Sequence, residues 1–221
     1  MKHHFLPYLA QEFKPLLKVR NIGRLLLFGL LIFNFLNLVR ILNFTLQFTW
    51  LGLFITALAT CLILEGVAYA YFQKKGYTLH WSVWLIVMFA LGLDAAADIF
   101  HFYQRFDWWD QVVHTLNSSL ICFALFIAVS AFWINRPSFD LLRKPARLHL
   151  GLFIAATTTM ALSALYEIEE YTEDMIYGTH RLGPGTDTAN DLLCNAAGIL
   201  LSVAVLWIIM TLKRKKPKLL S

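Results

Sequence analysis

Charged residues are scarce in this chain. They make up 15% of 221 residues, against about 25% in an ordinary soluble domain. Cysteine is scarcer still. Cys61, Cys122 and Cys194 all lie in apolar stretches, so three scattered thiols exclude a disulfide framework and a CxxC zinc pattern. Proline is confined to positions 7, 15, 137, 145, 184 and 217, which leaves every long apolar run unbroken. There is no internal repeat, no low-complexity tract and no linker long enough to separate two domains. A small-residue cleavage site after the first apolar run is also missing, and that run is too long for a signal peptide.

Apolar residues are abundant. They account for 58% of the chain, with 18 Phe, 8 Tyr and 7 Trp, and the mean hydropathy is +0.60. A soluble core of this size cannot bury so many apolar side chains, so the bilayer is the expected solvent for the rest. About 20 residues are needed to cross the hydrocarbon. Six runs qualify: 24–43, 47–72, 80–103, 111–135, 148–172 and 188–212. The expectation is an all-α polytopic membrane protein, a single six-helix bundle over 24–212. Residues 1–23 would form an interfacial segment, with an amphipathic helix over 5–17, and residues 213–221 a basic tail.

The net charge of +5 and pI of 9.2 do not indicate nucleic acid. The cations flank apolar runs, which is an orientation signal. Sixteen of the nineteen Lys and Arg precede the first span or follow the second, fourth and sixth. Only Arg40, Arg105 and Arg181 fall at the other end. The expectation is a plasma (inner) membrane protein with cytoplasmic N- and C-termini.

The acids show the opposite bias. Eleven of fourteen gather at the end that lacks cations: Asp94, Asp98, Asp107, Asp110, Glu167, Glu169, Glu170, Glu173, Asp174, Asp187 and Asp191. Acids in or beside hydrocarbon are costly and mark a functional site by default. Asp94, Asp98 and His101 follow i, i+4, i+7 spacing, which predicts one face of the third span. Asp110 and His114 are one turn apart on the fourth, a spacing that suits a metal pair, an acid/base pair or a carboxylate orienting a histidine. Glu167, Glu170 and Asp174 share a face of the fifth; Glu169 and Glu173 share another. Glu173 and Asp174 read as a solvated helix end, whereas Glu167 stands among apolar residues. A Gly-containing loop brings Arg181 to the acids. Asp187, Asp191 and Asn195 form an i, i+4, i+8 row on the sixth span.

These motifs resemble the VanZ-like group of small bacterial membrane proteins, and more closely its YjdF-like branch, from about Asp94 to Ser202. The resemblance rests on Trp109-Asp110-Gln111-Val112-Val113-His114, on Glu167 and Glu170, and on Asp191, Asn195 and Gly198, which match a pattern of Asp, three residues, Asn, two residues, Gly. The group often has Lys where Gln111 stands and Gln where Glu170 stands. The resemblance implies a multi-pass membrane protein tied to cell-envelope and glycopeptide-resistance phenotypes. It supplies no reaction.

Three functional readings follow. The first is a divalent-cation site (Mg, Mn, Ca or Zn) that binds or acts on a membrane lipid or envelope precursor. Its ligands are expected to be Asp110, His114, Glu167 and Asp191, with His114 and Glu167 as candidate acid/base groups. Asp94, Asp98, His101, Glu170, Asp187, Asn195 and Arg181 would form the supporting polar network. The second is a proton-coupled carrier, for which a homo-oligomer would supply further helices, although no broken helix or inverted repeat is present. The third is a structural network that packs the helix ends.

Overall fold

The computed structural model of the protein describes residues 19–46, 48–76, 78–133, 145–183 and 185–215. All regular structure among them is helical: α1 (Val19–Leu38), α2 (Trp50–Lys75), α3 (Trp81–Ile99), α4 (Phe102–Arg105), α5 (Trp109–Trp133), α6 (Pro145–Tyr177) and α7 (Asp187–Lys215). Six of these, all but the single turn α4, are long and apolar enough to cross a membrane. The expected amphipathic helix over 5–17 and most of the basic tail fall outside the described residues.

Local signals explain where the helices stop. Thr49 caps α2 by accepting from the Gly52 amide at 3.3 Å. Gly76 ends the same helix at φ +68° and donates to the Phe72 carbonyl, while Lys74 and Lys75 complement the dipole of the last turn. Pro145 opens α6 at a position that needs no amide donor. Helix α6 runs five residues past the sequence expectation, to Tyr177, and two helices stop four or five residues short of it. Helix α1 stops at Leu38, five residues early, because Arg40 turns into the left-handed region at φ +62° and the amides of Ile41 and Leu42 fold back onto the Leu36 carbonyl. Helix α3 stops at Ile99, because His101 adopts φ +56° and starts the one-turn α4.

Helix α5 is central. Its basic-end half joins two apolar cores. One gathers Leu27, Leu64, Tyr71, Val83 and Trp84 against Ala124 and Ala128. The other gathers Leu148, Leu152, Ala155, Leu206 and Met210 against Cys122 and Phe126. Outside the bundle, Leu62, Phe89, Phe153, Leu193 and Leu200 are exposed, as expected for side chains that face lipid. Glu65 lies in the basic-end half, remote from the acidic site. It pairs with the buried Arg24, whose guanidinium lies over the Trp84 ring at 4.6 Å.

At the acidic end, α5 and α7 approach at backbone distance. A Cβ on Gly198 would collide with the Thr115 carbonyl, so glycine is what permits the contact. The Gln111 amide, with its NH2 toward the Asp107 and Trp108 carbonyls, accepts from Asn190 Nδ2 at 3.0 Å and ties the two helix starts together. Close packing here sets the distance between Asp110 and Asp191.

Candidate metal centre and its polar surround

His114 is the hub of the first cluster. Its Nε2 lies 3.4 Å from Asp110 Oδ1 and 3.9 Å from Asp191 Oδ1. One donor atom from each of Asp110, His114 and Asp191 falls within 4.8 Å of the others, a spacing that suffices for a shared cation. Glu167 is placed differently. Its Oε1 is 3.8 Å from Nδ1, on the opposite edge of the ring. Asp110 is the member open to solvent, with its side chain 32% exposed; the Asp191 and Glu167 carboxylates are 5% and 4% exposed.

Hydrogen bonding in this cluster is incomplete. Both Glu167 oxygens and Asp191 Oδ1 are buried without a hydrogen-bond partner. Buried carboxylate oxygens normally find donors or a cation, because desolvation is otherwise uncompensated. Asn195 Nδ2 lies 3.3 Å from His114 Nδ1, and the same amide accepts from Ser118 Oγ. Two proton arrangements are therefore available to the imidazole. Asn195 donates to Nδ1 and the proton sits on Nε2, or the proton sits on Nδ1 toward Glu167 and Nε2 is bare for a cation. Below the histidine, Ser118 reaches Ser163 at 3.3 Å and Ser119 reaches Ser202 at 2.9 Å.

The second cluster surrounds Arg181. Its Nη1 donates to Glu173 Oε2 at 2.7 Å and to Glu169 Oε2 at 3.4 Å. Its Nη2 donates to Glu170 Oε1 at 3.0 Å and to the Tyr166 hydroxyl at 2.8 Å. The side chain is only 6% exposed. Burial opposes the charge, but Tyr166, the Glu170 and Glu169 carboxylates and the Glu173 hydrogen bond outweigh it and hold the guanidinium far above its ordinary pKa. Asp174 makes this possible. Its carboxylate accepts from the backbone amides of Arg181 at 2.8 Å and Leu182 at 2.9 Å, and from Thr179. Positive φ at Gly178, His180 and Gly183 folds the loop back over α6.

Tyr166 joins the two clusters. Its hydroxyl donates to Asp94 Oδ2 at 3.3 Å, and its ring meets the His114 ring edge-on at 6.2 Å. Asp94 Oδ1 accepts from Tyr103 at 2.6 Å. Tyr103 lies outside the spans; burial and then Asp94 push its phenol well above the ordinary value.

The structure thus brings Asp110, His114, Glu167, Asp191 and Asn195 together, and Arg181, Glu169, Glu170, Glu173 and Asp94 beside them. Two sequence expectations are corrected. Glu173 is not a solvated helix end: it is buried, 5% exposed, bonded to Arg181 and to the Thr49 hydroxyl. His101 does not continue the Asp94–Asp98 face, because α3 ends before it. Asp98 is buried and accepts from the Phe48 amide at 3.1 Å, which ties the lead-in of α2 to α3. Asp187 sits in the first turn of α7 with its carboxylate against Gly183. Sequence reasoning missed Tyr103 and Tyr166. The signal for them was indirect: a carboxylate at the depth of Asp94 needs donors, and tyrosines near the helix ends are the residues that supply them.

No curated protein and no solved structure matches the chain. A family model described as a predicted membrane protein, DUF2238, matches residues 23–212, and the chain belongs to that family.

Proposed function

We propose that the protein holds a divalent cation on Asp110, His114 Nε2 and Asp191 and uses it to bind or act on a lipid or cell-envelope molecule. The observation that carries this reading is the convergence of three donor atoms within 4.8 Å beside buried carboxylate oxygens that lack any donor. One imidazole with two carboxylates suits Mn or Zn better than Mg or Ca. Glu167 then acts as the acceptor that fixes the Nδ1–H tautomer, as carboxylates behind ligating histidines do. Asp110, the exposed ligand, marks the side from which a second molecule enters. A cation there supplies a Lewis-acid centre for a phosphate or carbonyl oxygen.

The bias of cations toward one end supports cytoplasmic termini and a site at the outer face of the plasma membrane. The likeness of the Trp109–His114 and Asp191–Gly198 motifs to the VanZ-like and YjdF-like proteins supports a cell-envelope role. One observation favours a carrier instead: the row Asn195, Ser118, Ser163 leads from His114 toward the bundle interior.

Elemental analysis of protein purified without chelator tests the proposal. About one Mn or Zn per chain in wild type, lost in Asp191→Asn, is the expected result. A metal-free wild type that binds no added Mn or Zn overturns it. Cation flux into proteoliposomes, abolished by Ser118→Ala while the bound metal stays, would favour the carrier.

A further inference from the structure

The cation cluster has a further acid that takes no part in its donor triangle. Asp187 opens α7 and stands one helical turn before Asp191. Residues four apart share a helix face, with Cβ atoms about 5–6 Å from one another. Asp187 is not among the three residues whose donor atoms fall within 4.8 Å of each other. Its charge nevertheless acts on Asp110 and His114 of α5 and on Glu167 of α6.

Burial deepens along this row of α7. Asp187 is half-buried, whereas Asp191 and Asn195 are buried. On the facing helix Asp110 is half-buried and His114 is buried. Asp187 and Asp110 are thus the acids of the cluster that meet solvent, and Asp191 and Glu167 lie behind them. Asp191 Oδ1 faces His114 Nε2 and has no hydrogen-bond donor. An ion that is to reach this oxygen comes in past Asp187 and Asp110.

The fold leaves the Asp187 carboxylate without a fixed partner. It makes no hydrogen bond and no ion pair with a described residue. Arg181, on the same loop, is engaged by Glu169, Glu170 and Glu173 instead. The α7 dipole favours an acid in the first turn, but it does not set where the side chain rests. Gly183 does that. It turns at φ +65°, and a Cβ there would fall on Asp187 Oδ2, so the loop keeps open the space that the carboxylate fills.

We infer that Asp187 is the capture residue of the cation site: it draws a divalent cation from solvent and passes it to Asp110 and Asp191. This rests on the cation reading proposed above and adds a route of exchange to it. A charge beside a site, but outside the ligand set, raises the local concentration of the opposite ion and its association rate. It changes the rate of dissociation little, because it holds no bond to the ion at rest. The buried carboxylate of Asp191 is thereby loaded from the acidic end of the bundle.

The test uses the full chain in detergent, freed of metal and mixed with Zn²⁺ alone in a stopped-flow instrument. A fluorescent indicator follows the free ion, and a chelator chase gives the dissociation rate. Asp187→Asn should slow association about three- to tenfold at low ionic strength, with the same number of ions bound and the same dissociation rate. The gap should close at an ionic strength of about 1 M, where the Debye length is about 3 Å. Asp187→Glu should recover most of the rate. Wild-type association should itself slow as salt is added, a measurement that needs no variant; a rate indifferent to salt overturns the proposal. An Asp187→Asn protein that binds Zn²⁺ as fast as wild type overturns it and leaves the cation reading standing. So does a variant that releases its ion faster or retains none, because Asp187 would then be a ligand. A wild type that takes up no Zn²⁺ overturns both readings together.

Discussion

Glu167 and Asp110 stand on opposite edges of the His114 ring, 3.8 Å from Nδ1 and 3.4 Å from Nε2. The two carboxylates therefore do different work. On the proposed reading Asp110 would share the cation with Nε2, and Glu167 would accept from the proton held on Nδ1. Asp191→Asn and Asp110→Asn should abolish Mn or Zn binding, whereas Glu167→Gln should weaken it by about 10- to 100-fold, the usual cost of losing a partner behind a ligating histidine. Thermal melts with and without metal check this. Wild type should gain about 2.7 kcal/mol at a cation concentration of 100 times Kd. The Asp→Asn variants should gain nothing, and Glu167→Gln should reach the same gain only at higher concentration.

Arg181 faces three carboxylates with one charge. Arg181→Gln should cost about 3–5 kcal/mol, because the remaining acids stay buried without a cation. Arg181→Lys should recover only part, since an ammonium cannot present two forked nitrogens to separate acceptors. Chemical or thermal denaturation in detergent gives both numbers. A loss below about 1 kcal/mol for Gln would place the cluster with ordinary surface pairs.

Tyr103 gives the pH dependence its alkaline arm. Its folded pKa is raised above the unfolded value, so the folded state keeps the phenol proton that the unfolded chain releases. The stability from this group is complete below about pH 10 and is lost as pH rises from there toward the folded pKa. Tyr103→Phe should flatten the decline between about pH 10 and 12. It should cost about 1–2 kcal/mol near neutrality through the lost bond to Asp94. Melting temperatures of the two proteins across that range separate the effects.

Gly198 should tolerate no side chain. A Cβ there meets the Thr115 carbonyl of α5, and backbone cannot yield as a side-chain tip can. Gly198→Val should cost about 1–3 kcal/mol by overpacking and should also weaken metal binding, because it moves Asp191 away from Asp110. A variant with intact metal affinity would show that the helix spacing does not set the site.

Topology is open to direct measurement. Cysteines at Lys74 and Arg105 should react with an impermeant maleimide from opposite sides of the membrane, Arg105→Cys from outside. Labelling from one side only would remove the outer placement of the site.

Much of this organisation was legible from residue spacing. The six spans, the gathering of acids at one end and the pairing of Asp110 with His114 follow from apolar run length and the 3.6-residue period. That period assigns a face to each residue within one helix. It says nothing of a loop that reverses direction, and so Glu173 read as solvated until the 178–183 loop, held by Asp174, laid Arg181 over it. His101 was misplaced for a related reason. Its spacing suits a helical face, but a single left-handed residue ends the helix, and histidine gives no glycine-like warning of it. Tyr103 and Tyr166 were invisible because their partner, Asp94, lies on another element.

The position of Arg181 in the chain bears on the order of assembly. Glu169, Glu170 and Glu173 are synthesised before the cation that holds them, and Arg181 seats against α2, where Gly52 leaves room for it. The loop that joins α6 and α7 is thus a fastening made after the acids it gathers. A nascent chain ending at Tyr177 would carry these three carboxylates at the membrane without their guanidinium, and this part of the bundle would stay unlatched until the 178–183 loop had followed.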